Sequence, residues 1–146
     1  MLTETLKSLF NRDLNKLKLE IESYQNESQI WEIDKNISNS AGNLCLHLIG
    51  NINTYIGAEL GKTGYIRDRP LEFSLKDIPR SELISKIEQT IVVVNNTLDS
   101  LTEADLKAIY PQIVFEKEMT TEFFLVHLAT HLGYHLGQIN YHRRLI

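Results

Sequence analysis

The sequence predicts an all-α fold, a four-helix bundle, on three observations. Apolar residues recur at three- and four-residue spacing in four long stretches, no strand series interrupts them, and clusters of Gly, Pro, Asn and Ser separate them. The chain has 146 residues, 42% of them hydrophobic, enough to bury a core, and its length predicts one domain over residues 1–146.

The first helix is expected over about residues 2–24, where Leu6, Phe10, Leu14, Leu17 and Ile21 line one face of a charged segment. A short segment with Trp31 and Ile33 follows. Ser38-Asn39-Ser40 then offers N-cap oxygens to a second helix running through Leu44, Leu48, Ile52 and Tyr55 to Leu60 and carrying His47. Residues 61–80 hold Gly61, Gly64, Pro70 and Pro79 without a sustained period, which predicts a long loop between helices two and three across one end of the bundle. Ser81 and Glu82 open helix three, in which Leu83, Ile84, Ile87, Ile91, Val94 and Leu98 keep helical spacing to about Leu101. Thr102-Glu103-Ala104-Asp105 reads as a capping box with Asp in place of Glu, starting a short turn that Pro111 stops. Residues 112–118 suit a brief extended piece. Thr120-Thr121-Glu122 starts the last helix, which runs through His127 to about Arg144 and places Arg143 and Arg144 at the negative end of its dipole.

Composition narrows the function classes. A formal charge of −4 with interspersed signs gives no basic stripe for nucleic acid. An N-terminus of alternating charged and apolar residues, with no 18-residue apolar run downstream, predicts a cytoplasmic protein without a membrane partner. The single cysteine, Cys45 between two leucines, reads as a small buried hydrophobe in a reducing compartment, although His47 two residues on leaves a reactive thiol open.

All five histidines lie in two predicted helices: His47 in the second, and His127, His131, His135 and His142 in the last. Residues four apart stand about 6 Å apart on one helix face, so His127/His131 and His131/His135 are the pairs able to share one metal ion. Phe124, Leu128, Leu132, Leu136 and Ile139 define the inward face; His135 falls nearest its centre and His131 at its margin, which favours that pair. His142, two turns on, would need another partner or a hydrogen bond to the chain end, and reads as structural or as an outer support of the site. Two histidines make an incomplete site, because catalytic zinc takes three protein ligands plus water. His47 is the remaining histidine on another helix, but it shares a strip with Asn43, Asn51 and Thr54, opposite the apolar arc of its helix; that strip either faces solvent or lines a polar pocket.

Two segments resemble a known family. His-Leu-Gly-Tyr-His-Leu-Gly-Gln-Ile, residues 131–139, is similar to the last-helix motif of the DinB-like (DinB/YfiT) metalloenzymes, and residues 42–52, Gly-Asn-Leu-Cys-Leu-His-Leu-Ile-Gly-Asn-Ile, resemble that family's helix-two motif. Arg67 to Phe73 and the order of helices extend the likeness. It implies a DinB/YfiT-like four-helix bundle whose divalent metal ion, zinc or nickel, is held by His47, His131 and His135, with water or substrate at the remaining positions. His127 leaves the register resting on Gly137-Gln138-Ile139.

Three neutral imidazoles leave the ion its full charge, which suits activation of water or of a thiol. The resemblance implies a small-molecule substrate and either transfer of a low-molecular-weight thiol or metal-dependent hydrolysis. Asn51 and Gln138 are candidates to orient a ligand. Glu59 and Glu72 give no convincing general base, Glu59 being three turns from His47 and Glu72 lying in the long connection. The competing class is a non-catalytic helical stress or interaction protein with a vestigial metal site. Gly133 and Gly137, with Ala129 and Thr130, form a strip of small residues suited to close helix approach, within the chain or across a homodimer.

Overall fold

The computed structural model describes all 146 residues, Met1–Ile146, as an all-α chain of six α-helices with no strand. Four are long, α1 (Leu2–Ser23), α2 (Ala41–Ile52), α4 (Arg80–Ser100) and α6 (Thr121–Leu145), and two are short, α3 (Arg69–Ser74) and α5 (Glu103–Lys107). α1 packs against α4 and α6, and α2 packs against the same two, so α4 and α6 each have one flank on either partner.

The apolar stripe of α1 is the reason it forms: Leu6, Phe10, Leu14, Leu17 and Ile21 are all buried, each contributing roughly 1.5–3 kcal/mol. Its last carbonyls would be orphaned, and Arg80 from the start of α4 donates to Glu22 O at 3.1 Å and Tyr24 O at 2.8 Å. A 3₁₀ turn, Glu27–Trp31, follows, closed by a capping box between Asn26 and Gln29. His142 of α6 fastens this segment. Its Nε2–H donates to Glu32 O at 2.8 Å, so its Nδ1 accepts from the Tyr24 hydroxyl at 2.6 Å. The structural role expected for His142 therefore stands, with the 24–32 segment as partner in place of the chain end.

Ser40 caps α2 by accepting from Asn43 N at 3.1 Å, and all twelve residues of the helix are buried. Gly42 permits the Trp31 indole to lie against the backbone, where a Cβ would stand 2.6 Å from the ring. The expected second helix to Leu60 is corrected: α-geometry ends at Ile52 and the chain continues as a π-turn, Asn53–Ala58, with wide bonds such as Gly61 N to Ile56 O at 2.9 Å. The Asn53 amide bonds Ile49 O at 2.8 Å and Thr90 Oγ1 at 2.9 Å, tying that turn to α4. A π-turn holds an extra residue, so Thr54 and Tyr55 leave the phase of the preceding helix.

The long connection is not structureless. It contains α3, started by the Asp68 carboxylate accepting from Leu71 N at 3.3 Å and by Pro70 in its first turn. Residues 112–118 are not an extended piece either. They form bends closed by one antiparallel bridge, Ile109 with Thr120, and the loop is anchored by Tyr110, whose hydroxyl donates to Tyr55 O at 2.6 Å. The small-residue strip of α6 is divided: Ala129 packs on the core and a Cβ on Gly133 would meet Asp13 of α1 at 3.8 Å, whereas a Cβ on Gly137 would meet nothing within 4 Å. No helix is long and apolar enough to cross a membrane. Cys45 is fully buried, and burial pushes its thiol up to about 12, which fits the hydrophobe reading.

Candidate metal centre

Packing of α2 on α6 brings three imidazoles together. His131 and His135, one turn apart on α6, approach with their Nε2 atoms 3.1 Å apart, and the Nε2 of His47 from α2 lies 3.4 Å from that of His131. One nitrogen from each lies within 4.8 Å of the others. His127 stays outside, its ring 4.8 Å from Phe115 and 5.9 Å from Phe124, stacked beyond His131.

The polar strip of α2 is buried because α3 lies on it. Asn43 donates to Glu72 O at 2.9 Å and Leu75 O at 2.8 Å, satisfying carbonyls at the end of α3, and its own Oδ1 accepts from Lys76 at 2.7 Å. His47 follows one turn later, under the ring of Phe73 at 5.1 Å, and its Nδ1 meets Glu72 Oε1 at 3.1 Å. Arg67 grips that carboxylate from the other side, Nε to Oε2 at 2.8 Å and Nη2 to Oε1 at 3.0 Å. Burial alone raises the Glu72 carboxyl, but the hydrogen bonds from His47 and Arg67 outweigh it and hold the group below its usual range. Periodicity identified neither Arg67 nor Glu72 as part of a site. The available signal was a buried-type pattern of polar residues at 43, 47 and 51, which needs a covering element with its own polar groups.

Hydrogen-bond partners fix the tautomers. An ionised Glu72 accepts, so His47 carries its proton on Nδ1; His135 Nδ1 donates to Gln138 Oε1 at 2.6 Å, and Gln138 in turn donates to the Tyr134 hydroxyl at 3.4 Å. Both Nε2 atoms therefore turn lone pairs toward His131. His131 Nε2 can offer one proton to one of them, or none, and its Nδ1 is buried without a partner. A cation shared by the three Nε2 atoms resolves their facing lone pairs. Nitrogens about 2.0–2.1 Å from a tetrahedral zinc are about 3.3 Å apart, close to the 3.1 and 3.4 Å found here. The donor set fits a divalent ion.

In the metal-free protein His131 and His135 resist protonation. Burial, then the positive charge that His135, His47, His127 and Arg67 would present, lowers His131 to about 4, and burial also lowers His135. The unfolded chain then binds more protons than the folded one from about pH 6.5 down to about 4, so stability is complete above that window and is lost as pH falls through it. His131 is partly exposed, which reduces the expected loss to about 2 kcal/mol. Urea midpoints of metal-free protein at pH 7 and pH 4 should show it, with a smaller difference for His131→Leu; equal slopes would mean that His131 does not titrate as placed.

A cleft of about 560 Å³ borders the cluster, with His135, Tyr134 and Gln138 on one wall and residues 34–39 on the other. Its size suits a small molecule. A larger cavity of about 680 Å³ lies between α1 and α4, lined mainly by surface polar residues and by no histidine. Glu59, the other carboxylate weighed from sequence, accepts from Gln112 at 2.6 Å.

The model of a protein family, described as "Protein of unknown function (DUF1572)", matches residues 3–146. No curated protein matches the chain.

Proposed function

Since the chain belongs to this family of unknown function, we propose that it is a metal-dependent enzyme built as a DinB-like four-helix bundle. His47, His131 and His135 would hold one divalent ion, zinc or nickel. The observation that carries this reading is the convergence of three Nε2 atoms, two of them with tautomers set by Glu72 and Gln138 to face lone pairs inward. When bound, the ion supplies a Lewis acid that lowers the pKa of a coordinated water or thiol.

The surrounding residues favour thiol transfer over hydrolysis. The ion brings a coordinated water only near neutrality, and hydrolysis then gains from a carboxylate or imidazole base beside the ion. Glu72 stands on the outer side of His47 and its oxygens are engaged by Arg67 and His47, so it orients His47 and is not free to take a proton from water. A thiol bound to a divalent ion loses its proton without such a base. The cleft beside His135 would admit a small-molecule electrophile, with the Tyr134 and Tyr141 rings on its wall.

Metal analysis tests the proposal. Protein reconstituted with Zn²⁺ or Ni²⁺ and freed of excess by gel filtration is expected to retain about one ion per chain, and a panel of thiols with electrophiles should then show turnover. Retention of no ion would leave the scaffold reading, a non-catalytic helical protein, in its place.

A further inference from the structure

Beside the histidine cluster several polar groups are left without partners on the same side. Arg67 uses Nε and Nη2 on Glu72 and brings Nη2 to 3.4 Å from His47 Nδ1, leaving Nη1 without a protein partner. Its guanidinium carbon also lies 5.9 Å from the Tyr55 ring centroid. Asn51 stands one turn on from His47 on the same face of α2, and Tyr55 follows within the π-turn, so a guanidinium that reaches both His47 and the Tyr55 ring passes beside Asn51. Asn51 is 8% exposed and its Oδ1 is buried without a partner; the Thr54 hydroxyl next to Tyr55 is buried and unpaired as well. His131 on α6 carries the third such atom, its Nδ1, and lies near enough to Arg67 for its ring to feel that charge. Most buried side-chain polar atoms are paired, so three orphans on the segments that meet at the histidine cluster mark a place for a polar ligand.

The charge balance says which kind. Neutral imidazoles leave a divalent ion uncompensated, and the single carboxylate nearby is already shared by Arg67 and His47. The space therefore favours an anion. One guanidinium edge, a hydroxyl and an amide that can turn its NH₂ inward suit a planar monoanion better than a phosphate dianion, which draws on several cations. We infer that Arg67, Asn51 and Thr54 form a subsite for a carboxylate carried by the substrate, an inference that rests on the metal-site reading for the position of the substrate's other end.

Paired probes test it: 4-mercaptobutyrate and 4-mercaptobutan-1-ol, titrated calorimetrically into Zn²⁺-loaded protein whose metal content has been measured first. The acid is expected to bind at least about tenfold more tightly than the alcohol, the scale of a hydrogen bond to a charged group. Arg67→Gln should bring the ratio to about one, and Asn51→Leu should lower it severalfold, the ratio being taken at equal zinc content so that any change in the metal site falls on both probes alike. Equal affinities in the unaltered protein, or a preference that survives in both variants because the carboxylate chelates the zinc, would overturn the subsite. Should the chain hold no zinc, the metal proposal fails separately, and butyrate titrated into metal-free protein decides the subsite. A shift of the Asn51 side-chain amide resonances supports it, and their constancy means the orphans hold water only.

Discussion

His131→Leu is expected to abolish metal retention and, in the metal-free protein, to raise stability. His131 contributes the middle nitrogen, within 3.4 Å of both others, so its loss leaves His47 and His135 as an incomplete pair. The fall in affinity should exceed the 10–100-fold that follows loss of an outer partner. The stability gain has a different origin. Without metal, His131 keeps a buried Nδ1 unpaired and faces two inward lone pairs, and an unpaired buried polar atom costs about 1–3 kcal/mol. Leucine has similar bulk and no polar atom, so a gain of about 1 kcal/mol at pH 7 is expected, read from urea midpoints beside elemental analysis. A variant that keeps its ion, or that is destabilised without it, would show His131 to be a packing residue.

That opposition of stability and binding explains which parts were legible in the sequence. The long helices were, because burial of one stripe per helix is a local pattern: the five apolar residues expected on α1 are all in the core, and Thr120 and Thr102 cap the helices they were expected to open. The meeting of His131 with His135 was also legible, since helical pitch alone sets it. The inward turn of His47 was not. A periodicity argument leaves a polar strip opposite an apolar arc either facing water or lining a polar pocket, and here Asn43 and His47 are satisfied by carbonyls and a carboxylate of α3. That short helix lies more than 20 residues downstream and has too few residues for a period to register. The π-turn at Asn53–Ala58 was hidden for a related reason: its cause includes a tertiary bond from Asn53 to Thr90 on another helix. Resemblance to the DinB-like motifs supplied His47, and the structure supplies the physical means by which it faces inward.

The second large effect is expected at Glu72, which touches no substrate and acts through His47. Glu72→Leu removes the acceptor that holds the Nδ1–H tautomer, so the Nε2 lone pair is no longer fixed inward, and metal affinity should fall about 10–100-fold. It also strips Arg67 of its partner. Breaking a fully buried ion pair costs about 3–5 kcal/mol, and the Arg67 side chain is 14% exposed, so the lower end, about 3 kcal/mol, is expected. Gly50→Ala provides an independent approach from α2 with Glu72 intact, because a Cβ at Gly50 would collide with the Glu72 carboxylate. Either the carboxylate leaves His47 or α3 lifts, and metal affinity should fall as it does for Glu72→Leu, at a cost in stability of about 1–3 kcal/mol from overpacking. Glu72→Gln should fall between, since its amide oxygen still accepts from His47 while its charge no longer compensates Arg67. Competition with a zinc chelator ranks the three. If all three variants lost stability yet bound zinc as tightly as the unaltered chain, Glu72 would serve only to fasten α3, and His47 would owe its orientation to packing under Phe73.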